Sequence, residues 1–227
     1  VIEITAYDGG YHNPVGVTHM RYDEYSYLWP PRPEISVSPD MLPVFEKRRY
    51  VAQLKMNGTC SVIAVSPDKT LTVMTRHKEP HKAWKPTDAA MAAFKKLPGR
   101  GWYVFVAELL HSKVPGLRNI NYVHDVLVNN GEYLVGIAQE DRQDILHDLF
   151  LQGEYHEEEN KIVVNPNLWL PVEYEAGFSE LFKSLKAPEE EGLVLKDPKA
   201  RLAICSRAGS NSASQIKCRR PHKNYSF

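Results

Sequence analysis

Tyr50-Val51-Ala52-Gln53-Leu54-Lys55-Met56-Asn57-Gly58 is an apolar run with polar residues set into it, closed by a glycine turn. Two further short runs follow, Ser61–Val65 and Leu71–Met74, separated by Pro67-Asp68-Lys69. Short apolar runs broken by turn residues mark a β-meander. Working outward, Thr87-Asp88 ahead of Ala89, Ala90, Ala92, Ala93, Phe94 and Leu97 predicts a capped amphipathic helix over 87–97. Strands are expected at Trp102–Leu110 and Asn121–Val128, the second closed by the hairpin signal Asn129-Asn130-Gly131. Helices at Glu140–Leu151 and Ala176–Leu185 and strands at Lys161–Val164, Gly192–Lys196 and Gln215–Arg219 complete the reading. Strands outnumber helices and the two are mixed, so the class is α+β with largely antiparallel sheets.

Residues 1–45 differ in composition. They are rich in Tyr, Pro and Gly, and Trp29-Pro30-Pro31-Arg32-Pro33 reads as an extended, polyproline-like arm. The expected division is therefore an arm over 1–45 and one folded domain over 46–227.

The zero formal net charge hides an asymmetry. Residues 140–159 hold eight carboxylates against one base, Arg142, whereas from Lys196 onward there are eight bases and one acid, Asp197. A polyanion would meet the C-terminal third first, although a solvated basic tail is the plainer reading of composition alone. The three cysteines, Cys60, Cys205 and Cys218, have no CxxC or zinc-ligand spacing, which speaks against a disulfide framework and a zinc site. No stretch approaches a membrane span. A soluble, cytoplasmic protein is expected.

Lys55 beside the Asn57-Gly58 turn is weak by itself, since an exposed lysine at a strand end is commonplace. The ordered partners downstream change its meaning. Arg76 follows a strand, Glu108 lies near the end of Val104–Leu109, and Glu191-Gly192-Leu193-Val194-Leu195-Lys196 is a carboxylate–strand–lysine unit. Lys217 and Arg219 stand at i and i+2, where strand side chains share a face. Two aligned cations near a sheet end suggest a bound phosphate chain.

In this order, Lys55–Gly58, Arg76, Ala107-Glu108-Leu109, Tyr122–Leu127, Glu191–Lys196 and Lys217-Cys218-Arg219 resemble the nucleotide-binding motifs of the covalent nucleotidyltransferases. That superfamily comprises ATP-dependent DNA ligases, RNA ligases and mRNA capping enzymes. The resemblance covers about residues 48–223, and 124–146 is similar to polynucleotide ligases in particular. It implies an adenylyltransferase fold, antiparallel sheets flanked by helices with the nucleotide in the groove between them. It also implies an ATP-dependent ligase that carries AMP on Lys55, uses Mg²⁺ or Mn²⁺, acts as a monomer and joins 5′-phosphate to 3′-hydroxyl ends of nucleic acid.

A free lysine, with a pKa of ~10.4, is only about 0.1% neutral near pH 7.4. Its nucleophilicity therefore calls for cationic neighbours or a metal that lower this value. The resemblance gives Lys217 the α-phosphate, with Arg219 beside it, and makes Glu191 the metal-linked carboxylate. Glu108 would accept from a ribose hydroxyl and Arg76 would meet ribose or phosphate; membership of structural ion pairs is the alternative for both. His124 takes the slot of a ring stacked on adenine, with Tyr122 on the same strand face, and a core tyrosine and a hydrogen-bonded histidine are the ordinary alternatives. Gln53 is placed to read the adenine amine by its amide or neighbouring carbonyl. Gly58 and Lys196 complete the expected nucleotide contacts.

Three departures bear on substrate. Asn57 stands where DNA ligases and capping enzymes usually have aspartate, and Cys60 where they have arginine; Gly58-Thr59 is closer to several RNA ligases. Arg219 replaces the usual lysine and cannot act as a proton donor. With eight residues after Arg219, the oligonucleotide-binding-fold domain that follows in DNA ligases and capping enzymes is not expected here. The Lys55-x-x-Gly58-Thr59 form and the missing arginine at Cys60 favour RNA-containing ends slightly, and the ligase-like stretch 124–146 pulls toward DNA enzymes. A minimal DNA ligase, a capping guanylyltransferase and an inactive nucleic-acid-binding relative are the alternatives.

Overall fold

Side-chain alternation sorts the strands into two sheets. The computed structural model describes residues 20–221 except 112–113, 205 and 208–210; most of the first half of the expected arm, Cys205 and Lys223 lie outside the described residues. The chain opens with β1 (Met20–Arg21), β2 (Arg32–Val37), a single 3-10 turn and α1 (Leu42–Lys47), then the meander β3 (Val51–Met56), β4 (Thr59–Val65) and β5 (Leu71–Thr75). The middle holds α2 (Asp88–Lys95), β6 (Tyr103–Leu110), β7 (Ile120–Asn129), β8 (Glu132–Tyr133) and α3 (Gln139–Phe150). Last come β9 (His156–Glu158), β10 (Lys161–Asn165), β11 (Leu168–Pro171), α4 (Phe178–Ser184), β12 (Glu190–Lys196) and β13 (Asn211–Arg219).

The larger sheet runs β5-β4-β6-β7-β11-β10-β9, with β8 on β7 and β1 on β8; the smaller runs β2-β13-β12-β3. All pairs are antiparallel except β7 with β11 and β2 with β13. The class is therefore α+β with antiparallel-dominated sheets, as the sequence predicts.

In the smaller sheet Ala52, Leu54 and Met56 of β3, Leu193 and Leu195 of β12, and Ile216 and Cys218 of β13 enter one apolar cluster with Leu42 and Phe45 of α1 and Phe178 and Leu181 of α4. Each leucine buried there contributes about 1.5–3 kcal/mol. A slip of one residue would exchange Leu54 for Lys55 in that core, so burial fixes the register that turns Gln53 and Lys55 to the opposite face. In the larger sheet Phe105 of β6 packs against Phe94 of α2 and Phe150 of α3, with ring centroids 5.8 and 5.2 Å apart. Thr87 caps α2 by accepting from the Ala90 amide at 3.2 Å.

The arm expectation needs correction over its second half. Residues 32–37 form β2, an edge strand paired with β13, and 42–47 form α1, which carries Leu42 and Phe45 into the core. Pro33 is tolerated because β2 is an edge, where a missing amide donor breaks no central ladder. The final strand also starts earlier than expected, at Asn211, and the β9 and β11 strands are additional.

Candidate active site

The two sheets face each other across a cleft of about 760 Å³, within the roughly 300–1,000 Å³ usual for small-molecule sites. Gln53, Lys55, Gly58, Arg76, Glu108, Tyr122, His124, Glu191, Lys196, Lys217 and Arg219 all line it. Every site residue expected from sequence thus faces one space.

At its centre Lys55 Nζ lies 2.5 Å from Glu191 Oε2, and Arg219 Nε lies 2.7 Å from Glu191 Oε1. Strand pairing explains how Glu191 reaches both. Glu190 pairs with Met56 and Gly192 with Lys55, so Glu191 is the extra residue of a β-bulge, a device that re-aims a side chain. Gly192 makes the bulge feasible: its φ is +152°, and a Cβ there would stand 2.0 Å from the Cys218 carbonyl oxygen. Gly58 has a similar constraint, since a Cβ would come within 2.5 Å of the Leu109 carbonyl oxygen and 2.8 Å of Glu108 Cγ. Only glycine lets the turn after Lys55 close onto β6 beside Glu108.

Lys217 Nζ approaches the Pro33 carbonyl oxygen at 3.5 Å. Burial, then the neighbouring charges of Arg219, Lys55 and Arg32, lower its pKa. Arg32 was not anticipated. It lies on β2, lines the cleft, and is held by a 2.8 Å bond from Nη2 to Asn211 Oδ1. Its buried Nε has no hydrogen-bond partner among the described residues. The only advance signal was a cation in a proline-rich stretch. Arg76 is exposed at the rim, with Nε donating to His77 Nε2 at 3.1 Å.

On the opposite wall, Tyr122 and His124 of β7 share the cleft face, ring centroids 6.5 Å apart at 42°. Burial, then the Lys196 charge, drives the His124 pKa down to about 3, so its ring is neutral near pH 7. The Tyr122 hydroxyl is buried with no hydrogen-bond partner among the described residues. Lys196 is 2% exposed and donates to the His124 carbonyl oxygen at 3.0 Å, tying β12 to β7. Below it, Arg142 forms a two-pronged pair with Asp125, at 2.9 and 3.1 Å. Burial would raise the Asp125 pKa, but Arg142 overrides this and holds it below the ordinary value.

Gln53, 1% exposed, is engaged by two residues that the sequence reading did not single out: its Nε2 donates to Gln143 Oε1 at 3.1 Å and to Glu173 Oε1 at 2.7 Å. Burial and then Glu108 push the Cys60 thiol pKa up to about 12, which disfavours the reactive thiolate.

The basic third is less available than its composition suggests. Lys199 pairs with Glu140, Arg201 donates to the Gly136 carbonyl at 2.9 Å, and Arg220 donates to the carbonyls of Ala187 and Glu190 at 3.0 and 2.9 Å. Arg142, the one base of the acidic stretch, is turned inward and leaves that face acidic. No helix of the described residues is long and apolar enough to cross a membrane.

No protein-family model and no curated protein matches the sequence. Solved structures do match. The ligase domain of M. tuberculosis LigD superposes with a TM-score of 0.57 at 14% identity, covering 82% of this chain and 59% of that one. The mycobacterial DNA ligase D complexed with ATP gives 0.54 at 15%, covering 76% and 55%. The ATP-dependent DNA ligase of bacteriophage T7 in complex with ATP gives 0.55 at 12%, covering 84% and 68%. The chain thus spans a little over half the length of the mycobacterial structures. Its fold is that of the nucleotidyltransferase domains of ATP-dependent DNA ligases.

Proposed function

We propose that this chain is the catalytic domain of an ATP-dependent polynucleotide ligase in which Lys55 carries AMP. One observation carries the reading: Lys55 Nζ stands in the cleft between the sheets, with Glu191 at 2.5 Å and Lys217, Arg219 and Arg32 on the same lining.

In the first step Lys55 Nζ attacks the α-phosphorus of ATP. An N–P bond forms as the P–O bond to pyrophosphate breaks. Glu191 is within hydrogen-bond reach to accept the proton that the ammonium must shed. Lys217, Arg219 and Arg32 stabilise charge on the phosphate oxygens. In the second step AMP passes to a terminal 5′-phosphate, the N–P bond breaks and the amine is regenerated. In the third a 3′-hydroxyl attacks that phosphate, the phosphodiester forms and AMP leaves.

No group of three or more His, Cys, Asp or Glu side chains among the described residues could cage a metal ion. A single carboxylate, Glu191, beside a phosphate site fits a Mg²⁺ or Mn²⁺ ion that takes most of its ligands from phosphate and water. When bound, such an ion neutralises phosphate charge.

The Lys55-x-x-Gly58-Thr59 turn and Cys60 favour RNA-containing ends; the likeness to DNA ligases favours a DNA nick as the second reading. Intact-mass measurement after incubation with ATP or GTP tests the adduct, expected with ATP. Sealing of matched nicks that differ only in a ribose or deoxyribose at the 3′-hydroxyl nucleotide tests the substrate, since the 2′-hydroxyl tells the polymers apart. Severalfold faster sealing of the ribose nick is expected; equal or faster sealing of the all-DNA nick makes this a DNA ligase. An absent ATP adduct removes the whole reading.

A further inference from the structure

Gln53 sits two residues before Lys55 on the cleft face of β3, and its amide orientation is imposed from outside the strand. Both Nε2 hydrogens are committed, one to Gln143 of α3 at 3.1 Å and one to Glu173, between β11 and α4, at 2.7 Å. Gln143 in turn directs its own Nε2 to His147 Nε2 at 3.2 Å, which leaves its oxygen toward Gln53. Turning the Gln53 amide over would set its oxygen against the Glu173 carboxylate and the Gln143 oxygen, acceptor against acceptor. Both of these Gln53 bonds are donated by Nε2 and neither uses Oε1, and the side chain, 1% exposed, lines the cleft.

An acceptor held in a fixed direction on the cleft wall is a recognition element for a ligand that donates. Resting on the ligase reading, we propose that Glu173 is the specificity-setting residue of the cleft. Through Gln53 it presents an acceptor to the 6-position of the purine, so that a 6-amino purine is taken and a 6-oxo purine refused. The adenine amine donates to Gln53 Oε1; the guanine carbonyl meets it oxygen to oxygen. Glu173 is a positioning residue, since it touches Gln53 and not the nucleotide.

Two surrounding features bear on this arrangement. Burial raises the Glu173 pKa above its ordinary value, and the Lys196 charge, followed by the Gln53 hydrogen bond, offsets only part of that rise. The Tyr122 hydroxyl, also buried and without a partner among the described residues, lines the same wall, so the base side of the cleft holds more than one polar group awaiting a ligand.

Glu173→Gln tests the idea, because it preserves shape and lets the pair of amides turn over together. Initial rates of adduct formation with ATP and with GTP, each at subsaturating nucleotide, are read by intact mass. The ATP-to-GTP ratio is expected to fall about tenfold or more in Glu173→Gln, the scale of one misplaced hydrogen bond, with the GTP rate rising. Gln53→Met removes the acceptor and should lower the ratio through the ATP rate, which keeps the inference testable if Glu173→Gln folds poorly. An unchanged ratio in the folded variants, or an equal loss with both nucleotides, overturns the inference and leaves the ligase reading standing. A wild-type chain with no adduct from either nucleotide overturns both.

Discussion

Glu191 contacts Lys55 across 136 residues of sequence, and it does so as the bulged residue of β12, one position before the Gly192 that pairs with Lys55. On the ligase reading, the proposed nucleophile is held by the carboxylate proposed to relieve it of a proton, and the pair opens for the amine to attack.

Lys55→Ala is expected to give no covalent adduct, since the other amines of the cleft are not at the glycine turn. Glu191→Gln should retain the fold and slow adduct formation at least tenfold, because the amide neither takes up the proton nor neutralises Arg219. Stability should change by only about 1 kcal/mol or less for Lys55→Ala, as for other partly exposed pairs. Intact mass and urea unfolding read the two quantities separately, and an adduct surviving on Lys55→Ala would remove Lys55 from its role.

Lys217→Ala should abolish or strongly reduce adduct formation, whereas Arg219→Lys should be tolerated if charge is what Glu191 and the phosphates require. The 2.7 Å contact from Arg219 Nε to Glu191 offers a sharper alternative. Equal damage from the two substitutions, measured as the rate of adduct formation, would make the guanidinium geometry essential.

Arg142→Ala is expected to lower the unfolding free energy by about 3 kcal/mol or more, because it strands the buried Asp125 carboxylate. Urea titration followed by fluorescence measures it. A loss below about 1 kcal/mol would mean that Lys196, which also lowers the Asp125 pKa, is a sufficient partner.

His124→Phe should flatten the acid limb of stability. An unfolded histidine takes its proton near 6.5, whereas in the folded chain His124 does so only at about 3. Between those values the unfolded state binds the extra proton, so stability falls as pH drops from 6.5 toward 3. Without the titrating ring, the difference between variant and wild-type stability should grow in the variant's favour through that window. A constant difference from pH 7 to 4 would contradict the burial of the ring.

The residues of the cleft were legible in the sequence where strand alternation and motif order agreed. Gln53 and Lys55 alternate with Ala52 and Leu54, and Lys217 and Arg219 with Ile216 and Cys218, so periodicity alone assigns their faces. Gln143 and Glu173 carry no such mark: one sits on a helix amid acidic residues and the other in a connection, and they meet Gln53 only in three dimensions. The β2 strand was masked by Pro33, which argues against a central strand and is silent about an edge. The β9 strand was hidden by Glu157 and Glu158, charges that suit an exposed edge and resemble a loop in a linear reading.

The pairing of β2 with β13 has a consequence for how the protein is made. Arg32 meets Asn211 across 179 residues, and Lys217 leans on Pro33 across 184. Contacts so distant in sequence close late and slowly. A ribosome delivers residues 32–37 well before their hydrogen-bonding neighbour, and they must wait until residues 211–219 have emerged. The nascent chain can assemble the larger sheet from the intervening residues, but its cleft-lining cations Arg32, Lys217 and Arg219 come together only after that, and until then the β2 edge is exposed to unintended strand pairing.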